Sequence, residues 1–144
     1  MRHGPDNDVA RIADDARAAE GGTAEPVALL VIQGDRDDVV APINGVGLVD
    51  QFLRFNAHAA GREGYRPAAA LPPADAMAHE AGSSNRHGVR SDDWLAAGRV
   101  IVRHVTVEGL GHAWSGGNAE LAFADPLGPD ALELLARFAA DAHA

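Results

Sequence analysis

The chain has 144 residues, 47% of them apolar and 23% charged, the balance of a single globular domain rather than of a disordered or fibrous chain. Its formal net charge is −9, and all twelve basic residues are arginines with no cluster among them, so neither nucleic acid nor an anionic membrane surface is an expected partner. There is no cysteine, which excludes disulfides, thiolate zinc sites and a cysteine nucleophile.

The N-terminal stretch MRHGPDNDVARIADD has no apolar core, so no signal peptide is expected in it. Residues 8–20 (DVARIADDARAAE) predict a helix in which Val9, Ile12, Ala13 and Ala16 form a weak apolar stripe, ended by Gly21 and Gly22. Pro26 then introduces VALLVI, residues 27–32, apolar at every position. That pattern predicts a strand covered on both faces, as in a parallel sheet with helices on each side. It is too short to span a bilayer, which takes roughly 20 residues.

The polar loop after this strand leads into a second helix over roughly residues 44–58, with Val46, Val49, Phe52, Leu53 and Ala57 on one face. Strand, acidic loop and amphipathic helix make half of a βαβ unit. Residues 59–90, rich in glycine, proline and serine, predict an irregular surface excursion. Residues 92–96 and 99–107 are expected to pair through a turn at Ala97 and Gly98, the second segment (RVIVRHVTV) being strongly β-branched. The last element is a helix opened by Pro129, with Asp130 and Glu133 in its first turn and a buried stripe of Ala131, Leu135, Phe138 and Ala142. The expected architecture is one α/β domain over residues 1–144, a mainly parallel sheet flanked by helices.

Two loops, each placed after a predicted strand, carry the chemistry. One holds Asp35, Asp37 and Asp38. The other is GLGHAWSGG, residues 109–117, where His112 sits among four glycines. In open α/β sheets, sites lie outside the carboxyl ends of the strands, so both loops are expected at one sheet edge. A carboxylate that orients a histidine fixes its tautomer and stabilises the imidazolium, while the other ring nitrogen takes a proton from a nucleophile. The acid precedes the histidine here, as in the Ser–Asp–His order of α/β-hydrolases.

The segment VIQGDRDDVVAPING, residues 31–45, resembles the HG-x-x-D-x-x-V segment of many α/β-hydrolases, with Gln33 in place of the usual histidine. GLGHAWSGG followed by FADPLGPDALELLARF, residues 123–138, resembles the C-terminal end of the polyhydroxybutyrate depolymerase-like esterases. The similarity covers about residues 27–57 and 99–142, and more weakly MRHGPD at residues 1–6. It implies the C-terminal part of an α/β-hydrolase fold, with Asp37 as triad acid, His112 as triad base and Trp114 beside the substrate pocket. It also implies a serine-type carboxylic-ester hydrolase of extracellular location, acting on a polyester, an oligomer or an acylated sugar without cofactor or metal. The nucleophile should lie in an upstream G-x-S-x-G elbow. None of the four serines (Ser83, Ser84, Ser91 and Ser115) stands in such an elbow, and none precedes Asp37. The N-terminal strands, the elbow and the oxyanion hole are therefore expected in a missing N-terminal half, and the chain alone is expected to be inactive.

Other readings compete with this one. Asp37 fits a turn or a helix cap as well as a triad, with Asp35 and Asp38 as alternative acids. Trp114 fits a packed loop anchor, and Ser115 lies too close along a tight loop to serve His112 as nucleophile. Asp125 and Asp130 read as helix-start residues. A metal site from His79, His87 and nearby acids has no recognised ligand spacing. The acidic run Asp35, Asp37 and Asp38 lacks the alternation and closing glutamate of a calcium loop. Two further functional classes remain beside the esterase: a non-catalytic remnant or interaction module of α/β-hydrolase shape, and a small acidic metal- or ligand-binding protein.

Overall fold

The computed structural model describes residues 8–21, 25–59, 76–80, 82, 86–96 and 98–143. Helix α1 (Val9–Ala19) begins where the Asp8 carboxylate accepts the backbone N–H of Arg11 at 3.2 Å, and it ends before Gly21 at φ 72°. Ala13 is its buried residue, with Val9, Ile12 and Ala16 half-buried beside it. The helix packs on α2 (Ile43–Ala59).

Strand β1 (Leu29–Gly34) starts two residues after the apolar run does. The cause is Asn56 of α2, which is buried and takes both polar groups of Val27: its Oδ1 accepts the Val27 N–H at 2.8 Å, and its Nδ2 donates to the Val27 C=O at 2.9 Å. Backbone groups held by a side chain are not available to a ladder.

The other strands of this sheet are β2 (Ala76–Glu80), β3 (Val89–Ala96) and β4 (Arg99–Val107), in the order β1-β4-β3-β2. Only β1 and β4 are parallel; β4–β3 and β3–β2 are antiparallel. The sheet is thus mixed, where a mainly parallel one was expected. The turn through Gly98, at φ 83°, is short enough to allow only an antiparallel pair, whereas β1 reaches β4 through a crossover that contains α2. Within the expected excursion of residues 59–90, residues 76–80 form β2 and residues 89–90 already belong to β3. Residues 60–75, 81 and 83–85 lie outside the described residues.

Alternation along β1 divides its apolar side chains between two clusters. Leu29 and Val31 join Val49, Phe52 and Leu53 of α2 with Trp94, Ile101 and Val102. Leu30 and Ile32 join Val105, Val107, Leu110 and Leu134, the last from helix α3 (Ala131–His143). Because β1 borders only β4 among the described residues, four of its six residues are half-buried rather than fully covered. Asp130 caps α3, its Oδ1 accepting the Leu132 N–H at 2.8 Å. The buried residues of α3 are Ala131, Phe138 and Ala142; Leu134 packs on the sheet, while Leu135 is 51% exposed instead of buried. A spacing of 131, 134, 138 and 142 follows one helix face, and Leu135 sits at its margin.

Farther along α3, Arg103 of β4 makes two hydrogen bonds to Asp93 of β3, both 2.6 Å, and one ion pair to Asp141 at 2.9 Å, with Phe138 6.0 Å from its guanidinium. Both partners in the Arg103–Asp93 pair are largely shielded from water. Removing one leaves the other as a buried unpaired charge. Arg103→Ala should therefore lower stability by about 3 kcal/mol, read as a fall in the urea midpoint; an unchanged midpoint would contradict this account of how β3, β4 and α3 are held.

Candidate active site

In the parallel ladder, Gly34 at the end of β1 stands beside Val107 at the end of β4, so the chain leaves both strands at one place. The two exits are stitched together. Asp35 N–H donates to the Val107 C=O at 3.2 Å, Arg36 N–H to the Leu110 C=O at 3.1 Å, and Gly109 N–H to Asp35 Oδ1 at 2.7 Å. Gly34 permits this approach, because a side chain there would collide with the Leu110 carbonyl. Gly109, at φ 81°, lets the second loop turn back.

This stitching brings Asp37 and His112 together. His112 Nδ1 stands 3.0 Å from Asp37 Oδ2. The other carboxylate oxygen, Oδ1, accepts the N–H groups of Val39 at 3.0 Å and Val40 at 2.8 Å, an Asx turn that fixes the carboxylate plane. Gln33 Nε2 lies 3.1 Å from the Val40 carbonyl and 3.5 Å from Asp37 Oδ2, bracing the same turn. Asp37 is buried, whereas the His112 side chain is 44% exposed. Burial pushes the Asp37 carboxyl up, but the hydrogen bond from His112, the backbone donors of Val40 and Val39 and the nearby imidazole outweigh it and hold the group below its ordinary value. An ionised Asp37 accepts from Nδ1–H, which leaves His112 Nε2 as the basic nitrogen.

The neighbouring residues take separate parts. Asp35 ties one loop to the other and Asp38 is exposed, so neither meets His112. Trp114 is 57% exposed and therefore not a packed anchor. Ser115 is buried and donates its hydroxyl to the Pro129 carbonyl at 2.8 Å; Ser91 Oγ lies 3.4 Å from Asp93 on β3. Ser83 and Ser84 lie outside the described residues, as does the side chain of His79. Among the described residues, no three His, Asp or Glu side chains gather where a metal ion could be held. No helix among them is long and apolar enough to cross a membrane.

A second Asp–His pair was not legible in the sequence. Asp125 lies in β6 (Ala124–Asp125), which pairs in parallel with β5 (Trp114–Ser115), and not at a helix start. Its Oδ2 meets His87 Nε2 at 3.0 Å, and its Oδ1 accepts the Leu127 N–H at 2.9 Å. The hydrogen bond with His87, opposed by burial and aided by Leu127, holds this carboxyl below its ordinary value as well. No spacing signal announces a contact between residues 87 and 125. His104, on β4, is a core residue whose Nε2 has no partner among the described residues, and burial pushes its pKa down, with Asp92 pulling up and Arg90 down.

The dyad opens into a groove of about 520 Å³ whose walls include Leu30, Ile32, Val40, Trp114, Phe123 and Leu135. A larger cavity of about 770 Å³ lies between α3 and the β3–β4 face, but its charged groups are largely paired, Arg103 with Asp93 and Asp141, and Arg137 with Glu133. The smaller groove is the chemically equipped one. No protein-family model matches the chain, and no curated protein matches it.

Because the Asp37 and Asp125 carboxyls are held below their unfolded value of about 3.9, each stabilises the fold above that pH and ceases to do so as pH falls through its lower folded value. Asp37→Asn should flatten the loss of urea midpoint below about pH 4 relative to the parent chain. An acid limb identical in the two proteins would show that Asp37 gains nothing from its partners.

Proposed function

We propose that this chain supplies the acid and the base of a serine-type carboxylic-ester hydrolase resembling the polyhydroxybutyrate depolymerase-like esterases, as the C-terminal part of an α/β-hydrolase fold. The observation that carries the reading is the 3.0 Å approach of His112 Nδ1 to a buried Asp37, on loops that follow two adjacent parallel strands. In this reading His112 Nε2 removes the proton from a serine hydroxyl as that oxygen attacks the ester carbonyl. The proton then passes to the departing alkoxide, and a second round with water releases the acid. Asp37 stays ionised and stabilises the imidazolium.

The nucleophile and the oxyanion donors come from outside these residues, as an upstream segment ending in a strand and a G-x-S-x-G turn. The outer edge of β1 supports this reading: it has no neighbour among the described residues, and a further parallel strand there would stand next to the dyad. The exposed apolar residues Ile43 and Leu48 of α2, and Leu132 of α3, offer such a segment cover on both sides. An extracellular location and an ester substrate belong to the same proposal.

The test is a chromogenic short-chain ester assay on the chain alone and on a longer chain that restores the upstream segment. The chain alone should show no turnover above background. The longer one should be active, and His112→Ala should lower its kcat by at least about 10³-fold. Turnover by the chain alone that His112→Ala leaves intact would defeat the proposal.

A further inference from the structure

Phe123 is, among the described residues, the one non-glycine whose backbone enters the left-handed region, at φ 60°. A bulky side chain persists there only when the surroundings enforce it. The enforcement is visible. The Phe123 C=O accepts the Trp114 N–H at 2.7 Å, Ala124 and Asp125 pair with Trp114 and Ser115, and Asp125 is gripped by His87 and by the Leu127 N–H. All of these contacts act on the backbone or on a neighbour. Phe123 itself remains 74% exposed, so burial of the phenyl ring does not offset the backbone cost.

The strained backbone instead aims the ring. It meets the His112 imidazole in a T-shaped contact, with centroids 6.2 Å apart and planes at 74°. The ring and Trp114 border the groove at the dyad, where Leu30, Ile32, Val40 and Leu135 supply further apolar wall and, among the described residues, no arginine contributes. Three of the polar side chains in the groove are already engaged: Asp37 with His112, Gln33 with Val40 and Ser115 with Pro129. A ligand of this groove is therefore uncharged and mostly apolar, with its polar atoms near His112.

Resting on the esterase reading above, we infer that Phe123 is a specificity-determining residue, whose ring forms the wall that packs against the aliphatic part of a neutral ester while the ester group lies beside His112. The ring selects for chain length. It takes no part in proton transfer.

The chain without a nucleophile is suited to test this, because esters bind without being consumed. Methyl hexanoate and methyl acetate are titrated into the isotope-labelled chain while the His112 imidazole and Trp114 indole resonances are followed. Methyl hexanoate should shift both saturably and bind more tightly than methyl acetate. Phe123→Ala should weaken methyl hexanoate by roughly 4-fold for each methylene it uncovers, and leave methyl acetate unchanged. Phe123→Gly removes the ring and the left-handed strain together, so it should lose the same selectivity with its urea midpoint held or raised. Equal methyl hexanoate affinity in the parent and both variants overturns the role of Phe123 and leaves the esterase reading standing. If neither ester shifts His112 in the parent chain, the role of Phe123 falls, while the esterase reading is decided separately by the assay on the longer chain.

Discussion

The parallel pairing of β1 with β4 is the constraint from which the site follows. It sets Gly34 beside Val107, and the missing side chain at position 34 lets the Leu110 carbonyl come close enough to receive the Arg36 N–H. Two further hydrogen bonds, Asp35 N–H to Val107 and Gly109 N–H to Asp35, then lock one loop on the other. Asp37 and His112 are carried into contact by backbone geometry that neither residue makes. Such support holds the two side chains in one mutual arrangement.

The two Asp–His pairs have equal separations and opposite exposures, and the difference separates their roles. In the Asp37–His112 pair the carboxylate is buried and the imidazole open, so the acid is shielded and the base can meet a ligand. In the His87–Asp125 pair the imidazole is the more enclosed partner, with 19% of its side chain exposed, and the backbone N–H of His87 donates to the Leu127 carbonyl. That pair is a clasp. It fixes the β5–β6 corner, and through it the position of Phe123 over His112.

Much of this was written in local pattern. Helices α1, α2 and α3 fell within one or two residues of the apolar periodicity and its caps, and the β-branched run at residues 99–107 coincides with β4. What escaped was decided by tertiary contact. Asn56, on a helix distant in sequence, removes Val27 from β1. The strand β2 comes from AMAHE, a segment short of β-branched residues that gains its order from pairing with β3. The parallel sense read from the all-apolar VALLVI holds for β1 against β4, but the tight turn at Gly98 sets β3 antiparallel to β4 and β2 pairs antiparallel to β3, so the sheet is mixed. At the site, placement after strands pointed to the loop of Asp35, Asp37 and Asp38 and to His112, and the resemblance to the HG-x-x-D-x-x-V segment singled out Asp37. Asp125 gave no such cue, since an Asp before Pro-Leu-Gly-Pro looks locally like a turn or a cap.

The tautomer of His112 tests the central claim most directly, because the dyad dictates which ring nitrogen of the neutral imidazole carries the proton. A carboxylate at Nδ1 enforces the Nδ1–H tautomer in the neutral ring and leaves Nε2 bare. Nitrogen-15 spectra of the imidazole, recorded on the parent chain and on Asp37→Asn, report this without any substrate. The account predicts an Nδ1–H tautomer in the parent chain that is lost in Asp37→Asn. A parent His112 that carries its proton on Nε2, with a spectrum indifferent to Asp37→Asn, would contradict it.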